Sequence, residues 1–131
     1  KMKKKILIVV ADYYKDIASN LIDSAKLYLK NKSSLSINFI RVPGVFEIPV
    51  TISKNIKKYD AFISLGCVIK GETPHFDFIS KSTTNAIMNL SISSNKPIGN
   101  GIITCLNIKQ AKARGKKGKE AAHAVFSVLS Q

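Results

Sequence analysis

The sequence predicts a three-layer α/β/α sandwich, with a four-stranded parallel sheet covered by helices on both faces. Three observations predict it. Short, β-rich apolar runs alternate with longer amphipathic segments four times along the chain. The first run, residues 5–10 (Lys-Ile-Leu-Ile-Val-Val), is apolar without alternation, as a strand buried on both faces must be. No linker, repeat or low-complexity stretch interrupts the pattern, so residues 1–131 read as a single domain.

The elements follow in order. Residues 14–30 carry Ile17, Leu21, Ala25 and Leu29 at four-residue spacing, which puts one apolar stripe on a helix. Residues 35–41 alternate Leu35, Ile37 and Phe39, the period of a strand. After Val42-Pro43-Gly44, residues 46–58 bring Ile48, Ile52 and Ile56, a helix that tolerates Pro49 only in its first turn. Residues 61–67 form a third strand, and 76–92 a helix through Phe76, Ile79, Thr83, Ala86, Ile87 and Leu90. Residues 97–104 hold a fourth strand. Asn107 caps a short helix running to Arg114, Gly115 breaks it, and 118–130 form the last helix. The result is a flavodoxin-like arrangement. In such sheets ligands gather beyond the carboxyl ends of the strands, so the segments to inspect are Asp12–Tyr14, Val42–Glu47, Cys67–Asp77 and Asn100–Thr104.

Composition narrows the function classes. The apolar fraction of 45% is that of an ordinary globular protein. No apolar run approaches the ~20 residues that span a bilayer. The opening Lys-Met-Lys-Lys-Lys followed by a short apolar run has no small-residue cleavage site, so it reads as a first strand and the expected compartment is the cytoplasm. Cys67 and Cys105 are isolated, without metal-ligand spacing, and read as free, semi-buried thiols. The net charge of +13 comes mostly from lysine, 19 of 21 basic residues, spread along the chain. With Ile, Asn and Ser also abundant, this reads as a general compositional bias and a solvated surface, not a nucleic-acid footprint. No Gly-rich dinucleotide fingerprint, P-loop, nucleophile elbow or metal-ligand cluster occurs, which disfavours hydride transfer, nucleotide hydrolysis and metal hydrolysis.

Some residues fit a chemical task. Segment 66–77, Gly-Cys-Val-Ile-Lys-Gly-Glu-Thr-Pro-His-Phe-Asp, leads from a strand end through a Thr-Pro step into a helix. Backbone N–H groups at such a start suit an anion, and Thr73 adds a hydroxyl. His75 lies beside this loop and is the natural proton carrier near neutral pH; a surface histidine at a helix start is the equally weighted plain reading. His123, among alanines in the last helix, reads as structural or exposed. Glu47 falls near a helix start, either as a cap or as an acceptor for substrate hydroxyls. Phe46 is core or pocket. Tyr13, just past the first strand, is a lid or a stacking surface for a flat heterocycle. Arg114 is one of two arginines in a lysine-dominated chain and supplies a planar fork suited to phosphate. Lys116, Lys117 and Lys119 read as a solvated loop.

Three motifs in register carry a resemblance. Val42-Pro-Gly-Val-Phe-Glu-Ile-Pro, Gly66-Cys-Val-Ile-Lys-Gly-Glu-Thr-Pro-His-Phe-Asp and Pro97-Ile-Gly-Asn-Gly-Ile-Ile-Thr together resemble the 6,7-dimethyl-8-ribityllumazine synthase family. The chain-end pattern Asn107-Ile-Lys-Gln-Ala-Lys-Ala-Arg, followed by Lys117-Gly-Lys-Glu-Ala-Ala, is similar too. The resemblance implies condensation of 5-amino-6-(D-ribitylamino)uracil with 3,4-dihydroxy-2-butanone 4-phosphate, without metal or organic cofactor. It implies His75 as the proton-transfer residue and Arg114 as the phosphate holder, helped by the Glu72-Thr73 backbone. Val45, Phe46, Glu47, Cys67, Val68 and Ile69 then line the ribityl-uracil site, Tyr13 stacks on the pyrimidine, and Lys117 lies near the ribityl chain. It also implies a homo-oligomer, expected as a pentamer with sites between adjacent subunits, and no nucleic-acid or membrane partner. Asn100 stands where many relatives place a phenylalanine given to the neighbouring subunit's site. The turn Arg114-Gly115-Lys116-Lys117-Gly118 is shorter than in shell-forming relatives. The competing readings are a non-catalytic flavin- or lumazine-binding module of the same fold and, behind it, a nucleic-acid binder suggested only by charge.

Overall fold

The computed structural model describes residues 3–71 and 75–131. Its elements run β1 (Lys4–Ala11), α1 (Lys15–Leu29), β2 (Leu35–Val42), a 3-10 turn (Val45–Glu47), α2 (Ile48–Lys54), β3 (Ala61–Ile69), α3 (His75–Ser94), β4 (Ile98–Cys105), α4 (Ile108–Ala113) and α5 (Lys117–Leu129). Among the described residues the strands form one four-stranded sheet, ordered β2-β1-β3-β4, with every pairing parallel. The expected alternating α/β architecture with helices on both faces is the one observed.

β1 is the spine. Ile6 to Val10 are fully buried, because the sheet pairs β1 on both sides and helices cover both of its faces. Alternate residues then divide between two cores. Ile6, Ile8 and Val10 join Ile63 and Leu65 of β3 against α1 and α5. Leu7, Val9 and Phe62 face the other way, against Ile48 and Ile52 of α2 and Ile87 of α3. Fully burying an aliphatic side chain of this kind contributes about 1.5–3 kcal/mol, so the doubly covered strand is where stability concentrates.

The helices follow their stripes. The buried residues of α1 include Ile17, Leu21, Ala25 and Leu29, the four that the spacing selects. Asn107 caps α4, its Oδ1 accepting the Gln110 N–H at 2.9 Å. The expected helix over 46–58 is shorter and begins differently. Pro49 has no N–H and crowds the carbonyl four residues before it, so the chain enters through the 3-10 turn and α2 holds Pro49 in its first turn. At the other end Asn55 turns its amide back onto the Thr51 carbonyl at 2.8 Å, and i to i+3 bonds replace the helix. β3 runs two residues past the expected end, pairing Val68 with Thr104 and Ile69 with Cys105. The last helix starts at Lys117, one residue earlier than expected, so Gly118 lies inside it.

Gly118 decides how closely α5 approaches α1. A Cβ at this position would stand 2.0 Å from the Leu21 carbonyl oxygen and 2.6 Å from Ser24 Oγ. The obstacle on one side is backbone and cannot turn aside. The same Ser24 hydroxyl donates to the Gly115 carbonyl at 2.6 Å and accepts the Lys119 N–H at 3.0 Å, so it ties the turn before α5 to α1. Gly118→Ala should therefore lower the unfolding free energy by about 1–3 kcal/mol, read as a reduced urea midpoint. Gly71→Ala, where an added Cβ meets nothing within 4 Å among the described residues, should shift it by no more than about 0.5 kcal/mol.

Candidate active site at the carboxyl edge of the sheet

Parallel strands end together. The carboxyl ends of β1, β2 and β3 bring Asp12–Tyr14, Val42–Glu47 and Val68–Lys70 to one edge of the sheet. Between β1 and β3 the strand order reverses direction, the place where such sheets open a crevice.

The Val42–Glu47 loop is held from both sides. Glu47 Oε1 accepts the Gly44 N–H at 2.9 Å and the Glu47 N–H donates to the Gly44 carbonyl at 3.1 Å, closing the 3-10 turn. The capping reading of Glu47 is thus realised, with Oε1 engaged. Beneath the turn Val45 is buried, and it reaches Gly66 of β3 closely. A Cβ on Gly66 would stand 2.9 Å from Val45 Cγ2 and 3.2 Å from Ala11 Cβ, so glycine lets the loop sit down on β1 and β3. Phe46 points outward and is 61% exposed. Phe46, Glu47, Pro49 and Val50 line a groove of about 460 Å³ with Ser82, Thr83 and Ala86 of α3. Thr83 is buried, and its hydroxyl has no hydrogen-bond partner among the described residues. The sequence pattern had placed Thr83 in an apolar stripe. The signal that separates it is a hydroxyl in a row otherwise made of hydrocarbons.

Tyr13 is 75% exposed, its ring edge-on to Tyr14 at 4.9 Å between centroids. Tyr14, not singled out by sequence, lies against the core, and burial, then Cys67 and Tyr13, push its hydroxyl pKa up. Asp12 forms ion pairs with Arg41 at 3.6 Å and Lys15 at 3.9 Å, which gives the first of the two arginines its task.

On β3, Cys67 is buried while Val68 and Ile69 are half-buried. Both cysteines are free thiols, and both are buried, where sequence suggested semi-burial. Burial, followed by the neighbouring Cys105, pushes the Cys67 pKa up to about 12, so this group is a neutral thiol at physiological pH. His75 opens the described part of α3 and is exposed to solvent. Glu72 and Thr73 lie outside the described residues.

The remaining candidates form a second group. Arg114 caps the end of α4, and its Nη1 donates to the Thr104 carbonyl at 3.1 Å and to Cys105 Sγ at 3.9 Å. Arg114, Lys116 and Lys117 line a groove of about 440 Å³ with Ile102, Ile103 and Thr104 of the edge strand. Lys117 pairs with Glu120 at 3.7 Å. Asn100 is not at a strand end. It pairs with Ser64 in the middle of the sheet, and its Oδ1 accepts the Ile102 N–H at 3.0 Å. The phosphate-type cations and the Phe46–Glu47 loop therefore line different grooves of one chain, with no residue in common. His123 stays on the exposed face of α5, edge-on to Tyr28 at 5.6 Å. Among the described residues no group of three or more His, Cys, Asp or Glu converges as a metal site, and no helix is long and apolar enough to cross a membrane.

With this geometry in hand, comparison with known proteins is decisive. The family model described as 6,7-dimethyl-8-ribityllumazine synthase matches residues 3–131. The chain belongs to the lumazine synthase family. A 6,7-dimethyl-8-ribityllumazine synthase of Agrobacterium fabrum is 40% identical over 97% of this chain and 93% of that protein. One of Buchnera aphidicola is 40% identical over 99% of this chain and 88% of its own length. One of Bartonella bacilliformis is 42% identical over 88% of this chain and 78% of its length. The three motifs that carry the lumazine synthase resemblance fall at the β2–α2 loop, the β3–α3 connection and β4.

Proposed function

We propose that this chain condenses 5-amino-6-(D-ribitylamino)uracil with 3,4-dihydroxy-2-butanone 4-phosphate to give 6,7-dimethyl-8-ribityllumazine, the penultimate step of riboflavin synthesis. The observation that carries the reading is the family match over residues 3–131. The amine and the ketone form an imine, phosphate and water leave, and the second ring closes. Each step moves protons between two held substrates. Positioning therefore supplies much of the rate, and one well-placed acid–base group adds to it. His75 is the proposed proton carrier: it opens α3 at the carboxyl edge, on the solvent side. Arg114 is the proposed anchor for the phosphate, and the Glu72-Thr73 backbone, outside the described residues, is proposed to help it. Tyr13 offers an exposed ring for stacking on the pyrimidine. Val45, Phe46, Glu47, Cys67, Val68 and Ile69 form the proposed wall for the ribityl-uracil, with Lys117 beside the ribityl chain.

The proposed working unit is a homopentamer in the cytoplasm with sites between adjacent copies. The separation of the Phe46–Glu47 groove from the Arg114–Lys117 groove supports it, because one copy alone presents only half of the constellation in each. Asn100, exposed on the edge strand, is the residue proposed to reach the neighbouring copy. Such a head-to-tail contact closes into a ring. The short turn before α5 carries Arg114, Lys116 and Lys117, and like charges there oppose further assembly into a shell.

Mixing the two substrates with the protein and following product absorbance and fluorescence tests the activity, and no product would end the reading. In that assay His75→Ala should lower kcat about ten- to a thousandfold, and an unchanged kcat would remove His75 from the chemistry. Arg114→Lys keeps the charge and loses the fork. It should raise the KM for the butanone phosphate with little change for the pyrimidine, whereas equal rises would count against the assignment. Light scattering at physiological salt should find a particle of about five chain masses; a monodisperse particle near sixty would refute the closed ring.

A further inference from the structure

The groups around Arg114 say more than that it is a cation near a groove. Its guanidinium Nη1 carries two hydrogens, and two acceptors lie in reach: the Thr104 carbonyl at 3.1 Å and Cys105 Sγ at 3.9 Å. The Nε and Nη2 atoms have no hydrogen-bond partner among the described residues, and the residue is exposed. A guanidinium binds an oxyanion by presenting two parallel N–H groups along one edge. With Nη1 occupied, the edge left to the groove is Nε–Nη2.

Cys105 is a fixed support. It is 1% exposed in the core shared with α1 and α5, its neighbour across the sheet is Ile69, and Cys67 lies in the same core cluster. Its sulfur receives the Arg114 N–H from the end of α4, which ties that turn to β4. We infer that Cys105 is a positioning residue for the condensation: its thiol sulfur, with the Thr104 carbonyl, clamps Nη1 of Arg114 so that the Nε–Nη2 edge is presented to the phosphate of the four-carbon substrate. The inference rests on the reading of Arg114 as phosphate anchor.

The experiment compares Cys105→Ala with Cys105→Ser in the two-substrate assay. The two side chains are close in size, and only serine keeps an acceptor. Loss of one neutral hydrogen bond predicts a rise of about three- to tenfold in the butanone-phosphate KM for Cys105→Ala. Its kcat and the pyrimidine KM should stay within about twofold, and Cys105→Ser should stay near the parent on all three. If truncation weakens folding, Cys105→Val against Cys105→Thr makes the same comparison with added volume. In an Arg114→Lys background, which has no Nη1, Cys105→Ala should add nothing. Equal behaviour of the acceptor-keeping and acceptor-lacking variants, parallel rises in both KM values, or additivity with Arg114→Lys would overturn the inference. Arg114→Lys alone separates the two levels. If it leaves the sugar-phosphate KM unchanged, the anchor reading falls and this inference falls with it. If it raises that KM while Cys105→Ala does not, the clamp alone is wrong.

Discussion

The structure depends on one constraint, the burial of β1 between two parallel neighbours. A strand without a free edge or a free face allows only helical crossovers, because a parallel neighbour is reached by carrying the chain back over a face of the sheet. From β1 the chain moves to β2 on one side, and from β2 it must return past β1 to reach β3. Right-handed crossovers then send α1 to one face and α2 to the other, as the two cores show. The loops after β1 and β2 consequently leave from the same edge toward opposite faces. Tyr13 and Phe46 come to that edge from different layers for this reason and no local one.

The electrostatics are set by the same topology. In a chain of net charge +13 a carboxylate is scarce, and where each one sits matters more than how many lysines surround it. Asp12 ends β1 beside the end of β2, so it meets Arg41, whose partner in the β1–β2 register is Val10. Asp60 accepts the backbone N–H of Lys5 at 2.8 Å before β3 begins. Glu47 is taken by the Gly44 amide. Among the described residues Arg114 pairs with no carboxylate and is held instead by a carbonyl and a thiol. Two arginines that look alike in sequence thus differ in kind. The first pairs with an acid, and the second is held by neutral acceptors at the rim of its groove.

These partnerships explain what was legible beforehand. Periodicity found the helices through residues such as Leu21 and Ala25, since an apolar stripe is a local property that burial enforces. The Asn107 cap was readable because its partner is three residues away. The bounds of α2 were misjudged because the stripe through Ile48, Ile52 and Ile56 does not register Pro49, which shifts the helix start behind a 3-10 turn, or Asn55, where the helix ends. Asn100 was expected near a strand end, yet the register sets it opposite Ser64, and register is fixed by packing across the sheet. Tyr14, Thr83 and Cys105 were missed as site neighbours for a common reason. Each matters through residues outside its own local pattern: Cys67 for Tyr14, the Phe46–Glu47 turn for Thr83, and Arg114 for Cys105.

The same distances bear on how a small scaffold can run a two-substrate condensation. The two grooves differ in support. One is built on the 3-10 turn and α3, and its loop is fixed by Val45 seated on Gly66. The other is built on β4 and the turn into α5, fixed by Ser24 and by the close approach at Gly118. Each is tied within the chain by contacts formed before a substrate arrives, which reduces the ordering cost of binding. What remains variable is the distance between a ring held in one groove and a phosphate held in the other. Under the proposed assembly, contact between copies sets that distance. A reaction that depends on proximity then draws its rate from the geometry of the ring of subunits as much as from any single side chain.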